Sequence, residues 1–168
     1  MALENITTIR AGVDPLNSSN VPSGASKIHV LTLRLKRLLD SDINEILRKN
    51  SELSLPEWRI LSVLSRSEQP LSQKDVVSEM VIAQGQASRA LFSLQSSGLV
   101  QASQSKRDRR SWNYCLTAQG RSVFGALLPQ MEVRRAALEG AVSADELLQF
   151  ERIALKIARV AQARLEQT

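Results

Sequence analysis

The sequence of 168 residues has only one cysteine and one histidine, Cys115 and His29. A single cysteine excludes an internal disulfide and is typical of a reducing compartment, so we expect a cytoplasmic protein. One histidine and one distant cysteine cannot supply the three or four protein ligands of a zinc site, so no metal site is predicted. We interpret Cys115 as a packing residue, because buried cysteines behave as small apolar side chains.

Aromatic residues and long apolar runs are also scarce. Aromatic residues make up 4% of the chain, whereas apolar residues make up 43%. Such a core must consist mostly of aliphatic side chains, which fits packed helices better than a β-sandwich. No apolar run reaches the roughly 18–20 residues of a membrane-spanning helix, so no membrane partner is expected. The first residues lack the basic and apolar regions of a secretion signal, and none is expected.

Enzyme signatures are missing too. The sequence contains neither a glycine-rich phosphate loop nor the Gly-x-Ser-x-Gly turn that presents a nucleophilic serine. We therefore predict no catalytic residues, no cofactor and no enzymatic activity.

Positive charge is present but unevenly distributed. The net charge is +5, and residues 81–121 contain six basic residues and one acidic residue, whereas residues 122–168 contain six of each. This concentration favours an anionic partner. The alternative interpretation is a charged loop that is simply solvated.

Helical periodicity dominates most of the chain. Residues 1–25 are rich in turn formers and are predicted to be an irregular arm. Three Ser-x-x-acid patterns have the spacing of capping boxes and predict helix starts at Ser54, Ser72 and Ser143. The predicted helices cover residues 26–50, 55–67, 73–80, 84–97, 118–138 and 144 to near the C-terminus. The first and last helices have apolar stripes that a small domain cannot easily cover alone, so these helices are expected to need a partner.

The middle of the chain, residues 53–116, predicts a winged helix-turn-helix domain. Three helices are followed by two strands, over residues 99–103 and 111–116, with a short basic loop between them. The polar face of the predicted helix over 84–97 fits a major groove about 12 Å wide. Glutamine pairs with adenine and arginine with guanine, whereas serine also binds phosphates. The predicted DNA-binding residues of this helix are Gln84, Gln86, Ser88, Arg89 and Ser93; the alternative is that they are ordinary surface residues.

The loop between the two strands concentrates four cations around one acid. It is predicted to bind phosphates or a narrow minor groove, in which arginine is preferred. Asp108 is expected to pair with a nearby arginine and to fix its direction, with Arg110 reaching the minor groove. The predicted DNA-binding residues of the wing are Lys106, Arg107, Asp108, Arg109 and Arg110; the alternative is a loop kept soluble by its charge.

Four segments in the same order resemble the MarR family of bacterial regulators. Residues 54–61 (SLPEWRIL) resemble the start of the family's second helix, and residues 91–100 (LFSLQSSGLV) resemble the end of its recognition helix. Residues 108–110 (DRR) match its Asp-x-Arg wing motif, and residues 116–120 (LTAQG) match its Leu-Thr-x-x-Gly motif. With the long flanking helices, the resemblance covers roughly 140 residues. The chain departs from the family at Gln101 and Ala102, where a charged residue and an arginine are common, and at residues 83–85, which are a poor helix start.

The resemblance implies a mainly α fold with a small β-wing, in which the winged helix-turn-helix is flanked by long dimerisation helices. It further implies a homodimer, with residues 26–52 and 117–168 as the helical dimerisation region, that binds a pseudo-palindromic operator in double-stranded DNA, usually as a repressor. Many members release DNA when a small aromatic acid or an oxidant binds, so an aromatic effector is implied as well. His29 is the candidate for an effector cleft between the dimer helices and the DNA-binding part, and a plain helix-surface residue is its alternative. The second functional hypothesis is a protein-binding adaptor that does not bind DNA, which the long apolar stripes also favour.

Overall fold

The computed structural model of the chain describes residues 14–80, 83–104 and 111–167. Within these ranges the elements follow one another as α1 (Lys27–Asn50), α2 (Leu55–Ser65), β1 (Leu71–Ser72), α3 (Gln73–Met80), α4 (Gln84–Ser96), β2 (Val100–Gln104), β3 (Trp112–Leu116), α5 (Ala118–Glu139) and α6 (Ala144–Leu165). The predicted fold, mainly α with a small β-wing, is confirmed. Each of the six helices begins within one residue of its predicted start.

Serine–acid pairs explain why the helix starts were predictable. At the start of α3, the Ser72 backbone N–H donates to a carboxylate oxygen of Asp75 at 3.1 Å, and the Asp75 N–H donates to the Ser72 hydroxyl at 3.2 Å. The Ser143 N–H at the start of α6 likewise donates to Glu146 at 2.8 Å. These bonds satisfy backbone donors that have no partner inside the helix, so the sequence pattern fixes the first turn.

The sheet has three strands in the order β1-β3-β2, all antiparallel. In the hairpin, Val100 lies opposite Leu116 and Gln104 lies opposite Trp112. The third strand, β1, pairs Leu71 with Tyr114 and was not predicted. Two residues are too few to show the alternation that identifies a strand, and β1 is defined as a strand by its pairing with β3.

The main core lies between α2, α3, α4 and the sheet. Its buried residues are Ile60, Leu61, Val63, Leu64, Val76, Met80, Ala90, Leu91, Leu94, Leu99, Val100 and Leu116. A smaller cluster of Leu47, Leu55, Trp58 and Leu127 joins α1, α2 and α5. There the Trp58 ring stacks on Phe124 with centroids 5.1 Å apart and planes 15° apart. The winged-helix elements therefore have a core of their own, and α1 and α5 are attached to it beside Trp58.

The segment before α1 folds back on that helix. The guanidinium of Arg34 donates to the carbonyl oxygens of Leu16, Asn17 and Asn20 at 3.0, 2.7 and 2.9 Å. Residues 14–25 contain turns and bends but neither helix nor strand. Arg34 thus holds the described part of the irregular arm along α1.

Helix α6 has no buried residue. Its exposed large apolar side chains are Leu147, Leu148, Phe150, Ile153, Leu155, Val160 and Leu165, and Ile28, Leu33, Leu35 and Leu38 of α1 are exposed as well. None of the helices within residues 14–80, 83–104 and 111–167 is long and apolar enough to cross a membrane. The two ends of the chain therefore present apolar surface that its own fold does not cover.

Candidate nucleic-acid interface

Helix α4 is anchored through one apolar face. Ala87, Ala90, Leu91 and Leu94 are all buried. Because residues three and four positions apart share a helix face, the opposite side of α4 is left to solvent. This outward face is polar over most of its length, and α4 contains no acidic residue.

Four of the five residues of α4 that are predicted to bind DNA lie together in the first half of the helix. Gln84, Gln86, Ser88 and Arg89 are all exposed. The helix begins at Gln84 although Ala83, its N-cap residue, offers no side-chain oxygen. Instead, the Ala83 carbonyl accepts the N–H groups of both Gln86 and Ala87, at 2.9 and 3.1 Å. Backbone hydrogen bonds therefore close the first turn without a side-chain cap.

The fifth predicted residue, Ser93, lies beside α2. Its hydroxyl forms a hydrogen bond with the carboxylate of Glu57. Burial disfavours the ionised carboxylate, but the hydrogen bonds from Ser54 and Ser93 outweigh it and lower the pKa of Glu57 below its usual value. Ser93 also lines an open cleft of about 470 Å³ between the end of α1, α2, α4 and α5. The sequence pattern places Ser93 on a polar side of α4, and the structure adds that a carboxylate occupies part of that side.

One residue on the outward face was not singled out by sequence. Phe92 is 73% exposed. It follows Arg89 by three positions and Ser88 by four, and therefore shares their side of the helix. The signal was present in the sequence, because Leu91 and Leu94 define the buried face and Phe92 falls outside it.

Gly98 and Leu99 end α4 and turn the chain into the wing. Gly98 has a φ of 72°, a conformation that favours glycine. The Gly98 N–H donates to the Gln95 carbonyl at 3.1 Å, and the Leu99 N–H donates to the Leu94 carbonyl at 2.9 Å. These two bonds form a Schellman motif, and the Leu99 side chain returns to the core. The glycine therefore sets the direction in which the chain leaves α4 and enters β2.

The Leu-Thr-x-x-Gly segment joins α5 to this same turn. The Thr117 hydroxyl donates to the Gly98 carbonyl at 2.7 Å and accepts the Gly120 N–H at 3.0 Å. A Cβ atom on Gly120 would lie 2.0 Å from the Leu99 carbonyl oxygen, a distance that no real contact has. Only glycine allows this approach, so the motif fixes α5 against the turn between α4 and the wing.

The wing ribbon is built as predicted, with strands that start and end within one residue of the expected positions. Its last described pair toward the loop is Gln104 and Trp112, and the Trp112 side chain is half exposed. The five predicted wing residues, Lys106, Arg107, Asp108, Arg109 and Arg110, lie outside the described residues. Their contribution here is the charge that the sequence gives them, at the end of a ribbon that starts directly after α4.

Two ion pairs tie α1 to the rest of the chain. Arg59 of α2 contacts Asp40 at 2.6 Å, and Arg134 of α5 contacts Asp42 at 2.7 Å. A second nitrogen of Arg134 donates to the Leu39 carbonyl at 3.1 Å. An open cleft of about 410 Å³ between the helices is lined by both arginines, by apolar residues of α1 and by Phe150 of α6. A ligand there would contact both the winged-helix elements and the end helices.

His29 and Cys115 lie apart from each other. His29 lines a groove formed by the start of α1 and the second half of α6, together with Ile28, Ile157 and Arg164. Cys115 lies on β3, is half-buried, and its sulfur accepts a hydrogen bond from the Gln101 amide at 3.2 Å. Within the described residues, no group of three or more His, Cys, Asp and Glu side chains is placed to bind a metal ion.

Known proteins resemble the chain both in sequence and in fold. Residues 51–111 match the sequence model of the MarR family. No curated protein is similar enough in sequence to count as a match. A MarR family transcriptional regulator from Silicibacter pomeroyi DSS is 25% identical, with a TM-score of 0.67 over 84% of this chain and 97% of that one.

Two ligand-bound crystal structures share the fold. The PcaV transcriptional regulator from Streptomyces coelicolor, in complex with its natural ligand, is 22% identical, with a TM-score of 0.63 over 76% of this chain and 92% of that one. NadR in complex with 4-hydroxyphenylacetate is 20% identical, with a TM-score of 0.67 over 84% of this chain and 99% of that one. Residues 51–111 thus match the MarR family model, and the chain has the overall fold of MarR family transcription regulators.

Proposed function

We propose that the chain is a homodimeric regulator that binds a pseudo-palindromic operator in double-stranded DNA and represses transcription until a small molecule releases it. In this proposal residues 53–116 bind DNA, and residues 26–52 and 117–168 assemble the dimer. The protein acts by binding and not by catalysis. The observation that carries the proposal is the outward face of α4, which is exposed, contains Arg89 and no acid, and continues directly into the ribbon of the cationic wing.

Each part of this surface has its own task. Gln84, Gln86 and Arg89 have the hydrogen-bonding groups that read adenine and guanine edges in the major groove. The wing residues 106–110 supply charge for flanking phosphates and for the minor groove, where Arg110 is the candidate. Ser88 is exposed beside Arg89, so it is a better candidate for a phosphate contact than Ser93, which is bonded to Glu57.

Dimerisation explains the exposed apolar ends of the chain. A helix of 22 residues with no buried side chain and seven exposed large apolar ones gains stability only against another surface. A second copy of the same chain supplies that surface symmetrically. The two α4 helices of the dimer would then meet major grooves about 34–36 Å apart, which is one turn of DNA.

A salt titration tests DNA binding. Anisotropy with labelled duplexes from the region around the gene is expected to give an affinity that falls steeply with salt, since several cations displace counterions. Arg89→Ala is expected to weaken binding about 5- to 150-fold and to relax the base preference at one position. Arg110→Ala is expected to weaken binding more evenly across sequences and to lower the salt dependence.

Arg135→Ala is the matched control for both variants. Arg135 lies near the far end of α5, where it pairs with Glu132 and Glu139. Its loss removes the same charge from the protein without touching α4 or the wing. Unchanged affinity in Arg89→Ala and Arg110→Ala, or an equal loss in an Arg135→Ala variant that sediments like the wild-type chain, would contradict the proposal.

The effector is proposed from charge as well as from likeness. The NadR and PcaV structures contain small ligands, 4-hydroxyphenylacetate in the first. Of the open clefts, the one between α1, α2 and α5 is lined by Arg59 and Arg134, which suit a carboxylate, whereas the cleft beside Ser93 is lined by Glu52 and Glu57. An aromatic acid in the arginine-lined cleft would compete with Asp40 and Asp42 for the two guanidinium groups.

Thermal shift with 4-hydroxyphenylacetate and benzoate tests the effector. A bound acid is expected to raise Tm and to weaken operator binding in the same concentration range. If the ligand lies in the arginine-lined cleft between α1, α2 and α5, Arg134→Gln should abolish the shift in Tm and His29→Ala should leave it unchanged. A shift that is lost in His29→Ala but kept in Arg134→Gln would move the ligand to the groove between α1 and α6.

The alternative, a protein-binding adaptor, rests on the same exposed apolar helices. It predicts no salt-dependent binding to any duplex and a stable complex of α6 with a different protein. Sedimentation of the purified chain separates the two, because a dimer covers α6 with a second copy and leaves nothing for an adaptor to bind.

A further inference from the structure

Phe92 is the large apolar side chain that α4 leaves in solvent. It is 73% exposed, whereas Leu91 and Leu94 on either side of it are almost completely buried. Its backbone is regular helix, since the Ser96 hydroxyl donates to the Phe92 carbonyl at 2.9 Å without changing the course of the chain. The exposure therefore follows from the position of Phe92 on the helix and not from a local distortion.

The neighbours of Phe92 limit what it can contact. Ser88 and Arg89 lie one turn before it on the same face, and Gly85 lies two turns before it, so the whole stripe meets a single surface. No acidic side chain lies on α4, and a cationic wing follows the helix. A surface of this charge favours DNA over another protein as the occupant.

The major groove has one kind of apolar group on the edges of its bases, the C5-methyl group of thymine. We propose that Phe92 contacts a thymine methyl group in each half-site and thereby selects thymine over cytosine at that position. This inference rests on the proposed function, because it requires α4 to enter the major groove. It adds an apolar contact to a surface whose other members can only form hydrogen bonds or ion pairs.

Helix geometry gives the position of this thymine. Phe92 lies three residues after Arg89, which is about 4.5 Å further along the helix axis. Base pairs are stacked about 3.4 Å apart. The thymine is therefore expected one or two base pairs from the base that Arg89 contacts.

Replacing thymine by deoxyuridine removes the methyl group and nothing else. With an operator fragment found by salt-dependent binding, each thymine of the two half-sites is replaced in turn. At one symmetric pair of positions, the affinity of the wild-type chain is expected to fall about fourfold for each half-site and about fifteenfold for both, the fold-change of one buried methyl group. Phe92→Ser is expected to bind the thymine and uracil duplexes equally, and Phe92→Leu to keep part of the discrimination.

The outcomes separate this inference from the proposed function. Equal binding of both duplexes by the wild-type chain, or unchanged discrimination in Phe92→Ser, overturns the contact and leaves DNA binding intact. Absence of salt-dependent binding to any duplex overturns both. A near-identical circular dichroism spectrum and Tm for Phe92→Ser shows that its effect is on recognition, because a side chain that is 73% exposed supports little of the fold.

Discussion

The winged-helix elements and the end helices use similar amounts of aliphatic sequence with opposite results. From α2 to β3, most apolar side chains are buried, the majority of them in one core, and even the two-residue strand β1 pairs with a neighbour. In α6 the same kind of stripe lies open to solvent along 22 residues, and none of it is buried. A periodic stripe thus shows that a helix needs a partner, but only the packing shows whether that partner is in the same chain.

The largest expected effect breaks the winged-helix region at its tightest contact. Gly120→Ala would place a methyl group 2.0 Å from the Leu99 carbonyl, so α5 must move away from the turn after α4. We expect the free energy of unfolding to fall by about 3 kcal/mol, as for overpacked cores. Urea denaturation at a fixed protomer concentration measures it.

Gly125→Ala is the matched control on the same helix. A Cβ atom at this position has no neighbour within 4 Å. The substitution is therefore expected to be neutral or to stabilise by up to about 1 kcal/mol, since alanine favours the helix. A similar loss in both variants would show that the close approach at Gly120 is not the cause.

The second effect breaks the end helices without touching the winged helix. Phe150 is 59% exposed on α6, and Phe150→Lys puts a charge on the proposed dimer surface. A symmetric dimer loses both copies of the side chain, and at about 1 kcal/mol for each copy the dimer dissociation constant should rise about 30-fold. Sedimentation measures this, with Phe92→Lys as the control: an even more exposed phenylalanine on α4 is lost, and assembly should be unchanged. Equal behaviour of the two variants would remove α6 from the interface.

The smallest effect concerns the link between the two regions. Burial alone would raise the pKa of Asp40, but the hydrogen bond from Lys36 and the charge of Arg59 outweigh it and lower this pKa below 3.8. A lowered pKa stabilises the folded state above the unfolded-state value, and this contribution is lost as pH falls through the folded-state value. Asp40→Asn is therefore expected to cost about 1 kcal/mol at neutral pH and nothing once the carboxylate is protonated in acid.

A double-mutant cycle with Arg59→Gln sharpens that comparison. If the pair at 2.6 Å carries the effect, Asp40→Asn should cost little in the Arg59→Gln background. Urea unfolding between pH 7 and pH 3 gives both the coupling and its pH dependence. Additive losses at neutral pH would mean that the Arg59–Asp40 pair does not hold α1, which would leave the contacts of Arg134 and the apolar contacts around Trp58.

Most helices were predictable because a short local sequence pattern determines where each one begins. A serine three residues before an acid closes the first turn of α3 and of α6 wherever the rest of the chain lies. Gly98 and the Leu-Thr-x-x-Gly segment were recognisable for a similar reason, since each fixes a backbone conformation or approach that other residues cannot adopt. The strand β1 was missed because its two residues are defined only by a partner that comes 40 positions later.

The candidate site was harder to read from sequence than the fold. Counting positions puts Ser93 on a polar side of α4, but its bond to Glu57 depends on how α2 crosses that helix. Phe92 was noted only as part of a segment that resembles the MarR family, and its exposure was not predicted, because an apolar residue in a helix usually indicates the core. The contacts of a side chain at the edge of two packed helices depend on the angle at which the helices cross. The sequence of one helix does not specify that angle.

The separation of α4 from α6 has a consequence for genetics. In the proposed dimer, a subunit with a damaged outward face of α4 but an intact α6 would still pair with a normal subunit, and the mixed dimer would have only one functional α4 for an operator of two half-sites. Alleles such as Arg89→Ala should therefore be dominant, because they inactivate their normal partners. A variant whose subunits do not fold cannot pair with normal subunits. Such alleles, for example Gly120→Ala combined with a second destabilising substitution, should therefore be recessive.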